Sequence, residues 1–170
     1  MRWNEMENFY ILLHYTLLYI LFMASFIGEY KAKVDDRGRL VFPSAFKELC
    51  ADSLKQGFVV KKSLFADCLE MFAYSEWERD SQEVRSRLNQ FNPEHDRFWR
   101  NYMRDRALVV PDEQYGRISI PKELLNSVGI NKEVVFAGKD FKIEIWAKEK
   151  IEAEKISEND FVDLAQKLLG

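Results

Sequence analysis

The chain has 170 residues, of which 47% are hydrophobic and 14% aromatic, and its formal net charge is −3. Such a chain can bury a sizeable core, as one medium domain or two closely joined small ones, which excludes a largely disordered protein. Its two histidines, His14 and His95, lie in different segments, and Cys50 and Cys68 form no Cys-x-x-Cys pair. These counts disfavour a histidine-based metal centre and a Ser–His or Cys–His catalytic pair, and we expect the cysteines to be thiols in a reducing cytoplasm.

The first 22 residues differ from the rest of the chain. A run of fourteen residues, 9–22, is almost entirely apolar or aromatic, but a membrane span needs roughly 20 such residues. The run resembles the core of an export signal, yet two glutamates outweigh Arg2 before it, whereas a signal begins with net positive charge. We interpret residues 1–22 as a non-native extension, with translation starting at Met23. A membrane anchor or signal, and an added helix covering the domain, are the alternatives.

A short sequence pattern then occurs twice. Gly38-Arg39 followed by Pro43 recurs, 78 positions later, as Gly116-Arg117 followed by Pro121. An acidic turn precedes each Gly-Arg pair, a short helix is expected to begin at each proline, and two segments rich in β-forming residues follow. The sequence therefore predicts one supersecondary unit used twice, in the order strand, Gly turn, strand, helix, strand, strand. We place the two units at residues 26–75 and 107–150.

A charged helical insert at residues 76–106 separates the two units. Its first helix has an apolar stripe that runs from Trp77 to Phe91, and Asn92-Pro93 is typical of the N-cap and first position of a second helix. The second helix combines aromatic side chains with several arginines. Either the aromatics pack on the sheet while the arginines stay solvated, or the insert is a subunit contact, because aromatic residues and arginine are enriched at interfaces.

A tail at residues 151–170 follows the second unit. Its Ser157 is a capping residue for a short amphipathic helix with Phe161, Leu164 and Leu168 on one side. We expect this helix to pack on the body of the protein or on a neighbour.

The Gly-Arg turns are the candidate functional residues. Glycine permits a tight turn that exposes the arginine, and Asp35, four residues before Arg39, can hydrogen-bond the loop and orient it. Lys31 and Lys33 alternate with apolar residues and should share one face of the strand that enters the first turn. Exposed guanidinium groups suit phosphate and guanine recognition. The alternative is that Arg39 merely pairs with Asp35 to stiffen the hairpin.

The paired turns, in this order and spacing, resemble the MraZ family of bacterial transcriptional regulators. The resemblance covers about residues 26–150 and includes the opening Phe26-Ile27-Gly28-Glu29-Tyr30 and the closing Ile143-Glu144-Ile145-Trp146. It implies two SpoVT/AbrB-type units in a mostly β fold with short helices (α+β), a pseudo-twofold swapped-hairpin β-barrel with a two-helix insert and a C-terminal helix. It also implies a ring-like homo-oligomer that binds short direct repeats in double-stranded DNA upstream of its own division and cell-wall operon, usually as a repressor.

The resemblance supplies the expected site residues. The DNA contacts are Arg37, Arg39, Lys31, Lys33 and Arg117, and the residues that shape the motif are Asp35, Gly38, Pro43, Glu113, Gly116 and Pro121. The second turn departs from the family pattern, because Tyr115 stands where the first turn has Arg37. We therefore expect the second turn to bind DNA weakly or to serve packing. No cofactor, metal or small-molecule ligand is expected, and the protein should act in the cytoplasm, at the nucleoid.

Two other classes of function are open. Related barrels include aspartic proteases, but these need Asp-Thr-Gly or Asp-Ser-Gly loops, which the acidic turns here lack, so we expect no enzyme. An oligomeric protein-binding scaffold, associated with a membrane through residues 9–22, is the second alternative. The net charge of −3 opposes DNA binding at long range, but local basic clusters on a multivalent ring can overcome it, since multivalency raises avidity about 10²–10⁴-fold.

Overall fold

The computed structural model describes residue 14, residues 25–51 and residues 53–170. The apolar run at 9–22 and the interpretation that translation starts at Met23 lie outside the described residues, His14 excepted. None of the helices in the described part of the chain is long and apolar enough to cross a membrane.

The strands and helices follow the order that the sequence predicts. The first half contains β1 (Glu29–Lys33), β2 (Arg39–Val41), α1 (Ser44–Leu49), β3 (Phe58–Lys62) and β4 (Leu69–Ala73). The insert contains α2 (Tyr74–Ser86) and α3 (Pro93–Tyr102). The second half contains β5 (Arg106–Val109), β6 (Arg117–Ser119), α4 (Lys122–Ser127), β7 (Glu133–Lys139) and β8 (Lys142–Ala147), and the tail adds α5 (Lys148–Ala153) and α6 (Glu158–Leu169). The unit boundaries at 26–75 and 107–150 stay predictions.

The two halves exchange strands. The larger sheet is open and antiparallel with the order β1-β7-β8-β4-β3-β5, and β2 pairs with β6 in a separate two-stranded ribbon. The first strand of each half thus pairs with the other half, β1 on β7 and β5 on β3. Glu70 of β4 lies opposite Glu144 of β8, so the pseudo-twofold relation passes between these strands. The mostly β fold with short helices is confirmed.

The larger of two hydrophobic clusters in the described residues lies between the ribbon and the inner face of the six-stranded sheet. Leu40 and Ile118 enter it from the ribbon, and all of their side-chain surface is buried. Phe42, just after β2, places its ring centroid 5.2 Å from that of Phe58 and 6.1 Å from that of Phe136. Because burying one such side chain contributes roughly 1.5–3 kcal/mol, these contacts fix the ribbon on the sheet.

The helix caps predicted from the sequence are present. The Asn92 side chain accepts a hydrogen bond from the Glu94 N–H before α3, and the Ser157 side chain accepts one from the Asp160 N–H before α6. The expected start of two helices is corrected by one residue. Pro43 and Pro121 occupy the N-cap positions, so α1 and α4 begin one residue later than expected. Both helices follow an extended residue, which proline accommodates as readily as the first turn of a helix.

The insert and the tail leave apolar surface exposed. Trp77 and Val84 of α2 are half-buried, whereas α3 and α6 contain no buried residue. Phe98 of α3 and Phe161 of α6 are exposed. The amphipathic tail helix therefore does not bury its apolar face on the body of this chain.

Candidate functional site

The ribbon brings the two Gly-Arg turns onto one surface. In its register Arg39 lies opposite Ser119, Leu40 opposite Ile118, and Val41 opposite Arg117. Leu40 and Ile118 are buried beneath the ribbon, so the alternating pleat directs Arg39 and Arg117 outward on the same face. Diagonal neighbours of this kind lie roughly 7–8 Å apart. Two arginines 78 positions apart in sequence thus become neighbours through strand exchange.

Asp35 organises the first turn. Its Oδ1 accepts hydrogen bonds from the Arg37 N–H and the Arg39 N–H, both at 2.9 Å, and its Oδ2 accepts one from Arg39 Nε at 2.7 Å. The Arg39 N–H above all lowers the pKa of the Asp35 carboxyl, and the Arg39 side chain adds to the effect. Gly38 completes the turn with a φ of 77°, a conformation that favours glycine.

The Asp35 pair orients Arg39 without using its whole guanidinium group. Only Nε donates to Asp35, and the Nη nitrogens donate to no acceptor within residues 25–51 and 53–170. The geometry therefore fits both interpretations of Arg39. The ion pair with Asp35 stiffens the hairpin, and it also holds the guanidinium group at the protein surface. Arg37, in the same turn, is exposed.

Asp112, and not Glu113, organises the second turn, which corrects the expectation for Glu113. Asp112 accepts hydrogen bonds from the Tyr115 N–H at 2.6 Å and the Arg117 N–H at 2.9 Å, with Arg117 Nε at 3.5 Å. The Tyr115 N–H is the main cause of the lowered pKa of Asp112.

The reason for this correction is the length of the second turn. The Asp35 N–H donates to the Arg39 carbonyl, and the Asp112 N–H donates to the Arg117 carbonyl. These pairs close the two hairpins, so the second turn contains one more residue than the first. In both turns, the carboxylate that accepts the loop N–H groups belongs to the residue whose N–H closes the hairpin. Its distance in sequence from the Gly-Arg pair therefore differs by one residue between the two turns.

Tyr115 holds the arginine of the second turn. The Arg117 guanidinium carbon lies 4.4 Å from the centroid of the Tyr115 ring, a cation–π contact. Arg39 and Arg117 line a common shallow groove of about 500 Å³, whose other lining residues are Val110, Asp112, Glu113, Gln114, Tyr115 and Ser119.

Lys31 and Lys33 lie on a different surface from the two arginines. Both are exposed on one face of β1, as their alternation predicts, but this is the outer face of the six-stranded sheet. Lys33 lies opposite Glu133 in the register, and Glu133 Oε2 accepts a hydrogen bond from Lys148 Nζ at 2.6 Å. Lys148 chiefly, with Lys33 and Lys31, lowers the pKa of Glu133. Part of the positive charge of this face is therefore already compensated.

Strand exchange also places a lysine where sequence order does not. Lys47 follows the first Gly-Arg turn in the sequence, but its ammonium group lies against Gly116 of the second turn, where an added Cβ would overlap it. At Gly38 the nearest side-chain atoms to an added Cβ are Leu125 Cδ1 at 3.6 Å and Lys122 Cγ at 3.8 Å. The sequence shows a basic residue at position 47, but only the fold assigns it to the second turn.

The buried thiols are poor nucleophiles. Cys50 and Cys68 are free and buried, and burial raises the pKa of Cys50 to about 11 and that of Cys68 to about 12. Both are protonated at neutral pH. No group of three or more His, Cys, Asp or Glu side chains that could hold a metal ion occurs in the part of the chain that the structure describes.

Comparison with known proteins identifies similar chains. A family model described as "MraZ protein, putative antitoxin-like" matches residues 107–170. The chain is 36% identical over 139 residues to "Transcriptional regulator MraZ" of Bacteroides thetaiotaomicron, which covers 82% of this chain and 88% of the relative. It is 38% identical over 149 residues to the protein of that name in Christiangramia forsetii (87% and 95%) and 34% identical over 143 residues to that in Clostridium tetani (84% and 96%). Stretches of this length within 170 residues include both Gly-Arg turns.

Proposed function

The chain belongs to the MraZ family, and from that premise we propose that it is a transcriptional regulator that binds double-stranded DNA sequence-specifically through its two Gly-Arg turns. Similar proteins that span most of the chain carry the name transcriptional regulator. The sites are short direct repeats upstream of its own division and cell-wall operon, which it represses. It works at the nucleoid in the cytoplasm, without catalysis.

The observation that carries this proposal is the outward pairing of Arg39 and Arg117 on the ribbon. Asp35 fixes Arg39 through Nε and leaves the Nη groups available. A guanidinium held in this way can donate two hydrogen bonds to the O6 and N7 atoms of guanine or to a phosphate. Arg37 and Arg117 add contacts on the same side, and Lys31 and Lys33, on the outer sheet face, act on more distant phosphates through charge alone.

We propose that the protein acts as a ring-shaped homo-oligomer and that its affinity for DNA depends on this assembly. With a net charge of −3, one subunit is repelled by DNA at long range, so several subunits must bind together. The tail helix supports self-association, because Phe161 is 61% and Leu168 69% exposed. Exposed apolar patches of this kind mark interaction surfaces.

A binding titration with Arg39→Ala tests the proposal. The full chain is titrated against a labelled duplex from upstream of its own gene and against a scrambled duplex. Loss of one arginine–guanine contact should weaken specific binding by about 1–3 kcal/mol, roughly 5- to 150-fold. Arg97→Ala, an exposed arginine of α3, is the matched control and should bind as the wild type does.

The oligomer must be intact in both variants, which light scattering after gel filtration checks. Equal binding by Arg39→Ala and wild type would contradict the role of the first turn. A wild-type protein that binds no DNA would instead favour the protein-binding scaffold. The exposed rings of Phe65 and Phe91 are the structural observation that favours this second candidate.

A further inference from the structure

The two turns each have one cation that the other lacks, and these cations occupy different positions of the repeat. Arg37 in the first turn corresponds to Tyr115 in the second, since each directly precedes the glycine of its Gly-Arg pair. Lys47 and Leu125 correspond in the same way, since each lies four residues after its proline. Leu125 packs on Gly38 of the first turn, and Lys47 packs on Gly116 of the second. The first turn therefore combines an arginine with a leucine, and the second a tyrosine with a lysine.

Within residues 25–51 and 53–170, the Lys47 ammonium group has no anionic partner. Lys47 is half-buried, and no carboxylate oxygen lies within 4.0 Å of its Nζ in residues 25–51 and 53–170. Partial burial of an uncompensated cation is unfavourable. An anion that binds beside Gly116 would remove this cost.

We propose that Lys47, together with Arg117, forms a phosphate-binding subsite at the second Gly-Arg turn. This subsite rests on the proposed DNA-binding function. It adds Lys47 to the DNA-binding residues and gives the two turns different roles. Lysine is a compact point charge without the planar fork of arginine, so it suits a phosphate better than a base edge. The first turn selects sequence through Arg39, and the second turn supplies affinity that does not depend on sequence.

The inference reverses the expectation that the second turn is weak. The second turn has Tyr115 where the first turn has Arg37, but Lys47 from the other half of the chain brings a positive charge to it. Tyr115 then serves to hold Arg117 through its ring, one residue after the Gly116 against which the Lys47 ammonium group lies.

The test measures the salt dependence of DNA binding for Lys47→Leu, which copies the residue at the equivalent position of the first turn. Each phosphate contact that is lost lowers the slope of log K against log salt by about 0.9 for B-DNA. We expect this decrease for every engaged subunit, and an equal loss of affinity for the upstream duplex and for a scrambled duplex. Lys55→Leu, an exposed lysine in the turn before β3, is the matched control and should leave the slope unchanged.

A second substitution makes the test specific to charge. Tyr115→Arg in the Lys47→Leu background gives the second turn the arginine and leucine of the first, and it should restore the wild-type slope. Lys47→Arg should retain the slope as well. Thermal unfolding and oligomer size are compared with the wild type, so that a folding defect in Lys47→Leu is recognised and the Lys47→Arg and double variants decide the outcome.

Each outcome decides between the two proposals. An unchanged slope in Lys47→Leu, or a loss confined to the upstream duplex, overturns the subsite while Arg39→Ala still tests the first turn. A lowered slope in a folded Lys47→Arg variant also overturns it. A wild-type protein that binds neither duplex overturns both the subsite and the DNA-binding function.

Discussion

At the scale of single residues, two carboxylates decide how the arginines are presented. Asp35 and Asp112 each accept backbone N–H groups of their turn and the Nε of the arginine that follows. Charge-assisted hydrogen bonds of this kind are stronger than neutral ones. The same interaction that closes the hairpin therefore aims the guanidinium group.

The ionisation of Asp35 and Asp112 gives a prediction at this scale. Hydrogen bonds from the turn N–H groups hold the folded-state pKa of both carboxyls below 3.8, the ordinary value for aspartate. Their contribution to stability is thus complete above about pH 3.8 and is lost as the pH falls through the lower, folded-state pKa. Titration of the carboxyl carbons by NMR should give midpoints below 3.8 for both residues.

A matched variant separates charge from hydrogen bonding in the first turn. Asp35→Asn keeps an oxygen acceptor for the N–H groups but loses the charge that attracts Arg39. Its stability should therefore depend less on pH in the acid range than that of the wild type. A midpoint for Asp35 at or above 3.8 in the folded protein would contradict the geometry.

At the scale of elements, the glycines before the arginines are constrained to different degrees. Gly38 has a φ of 77° and Gly116 a φ of 61°. A Cβ at position 38 would lie 3.0 Å from the Ile120 carbonyl oxygen, which is backbone, whereas a Cβ at 116 would meet only the end of the Lys47 side chain. The ribbon therefore tolerates a side chain less well at the first turn than at the second.

Substitution of these glycines tests that difference. Both Gly38→Ala and Gly116→Ala strain the backbone, at a cost of roughly 1–2 kcal/mol for a left-handed residue, and Gly38→Ala should be the more destabilising because the Ile120 carbonyl cannot move aside. Urea unfolding of the two variants measures the free energies. A larger decrease in the free energy of unfolding for Gly116→Ala than for Gly38→Ala would contradict this expectation and show that Lys47 is held rigidly.

At the scale of the whole molecule, the exchange of strands makes one surface from two distant turns, and the tail helix leaves apolar side chains exposed. The halves cannot separate without breaking the pairing of β1 with β7 and of β5 with β3. The proposed DNA-binding surface is therefore rigid within a subunit, and the proposed assembly sets the spacing between subunits.

Phe161→Ser combined with Leu168→Ser tests the contribution of assembly. Because α6 buries none of its residues within one chain, the double variant should still fold but form a smaller oligomer. Loss of multivalency should then weaken DNA binding by at least about 10²-fold. An unchanged mass by light scattering would show that α6 is not part of the subunit contact. Wild-type DNA affinity in a smaller oligomer would contradict the proposal that multivalency raises the affinity.

The sequence by itself determined the local structure. Periodicity and turn chemistry predicted the repeated order of strands and helices, the caps at Asn92 and Ser157, and the shared face of Lys31 and Lys33. These features depend on residues within a few positions of one another, so a single sequence contains the information. The resemblance to a family then supplied the exchange of hairpins, which periodicity cannot give because the two units have the same pattern.

Only the tertiary structure decided which side chains meet. It assigned the loop carboxylate to Asp112 instead of Glu113, because the hairpin-closing pair and not the Gly-Arg spacing sets the turn. It also placed Lys47, which follows the first Gly-Arg turn in the sequence, against Gly116 of the second turn. The physical reason is that β1, β2, β5 and β6 can pair within or between units with the same local pattern, and the choice is made by burial of a common core far along the chain.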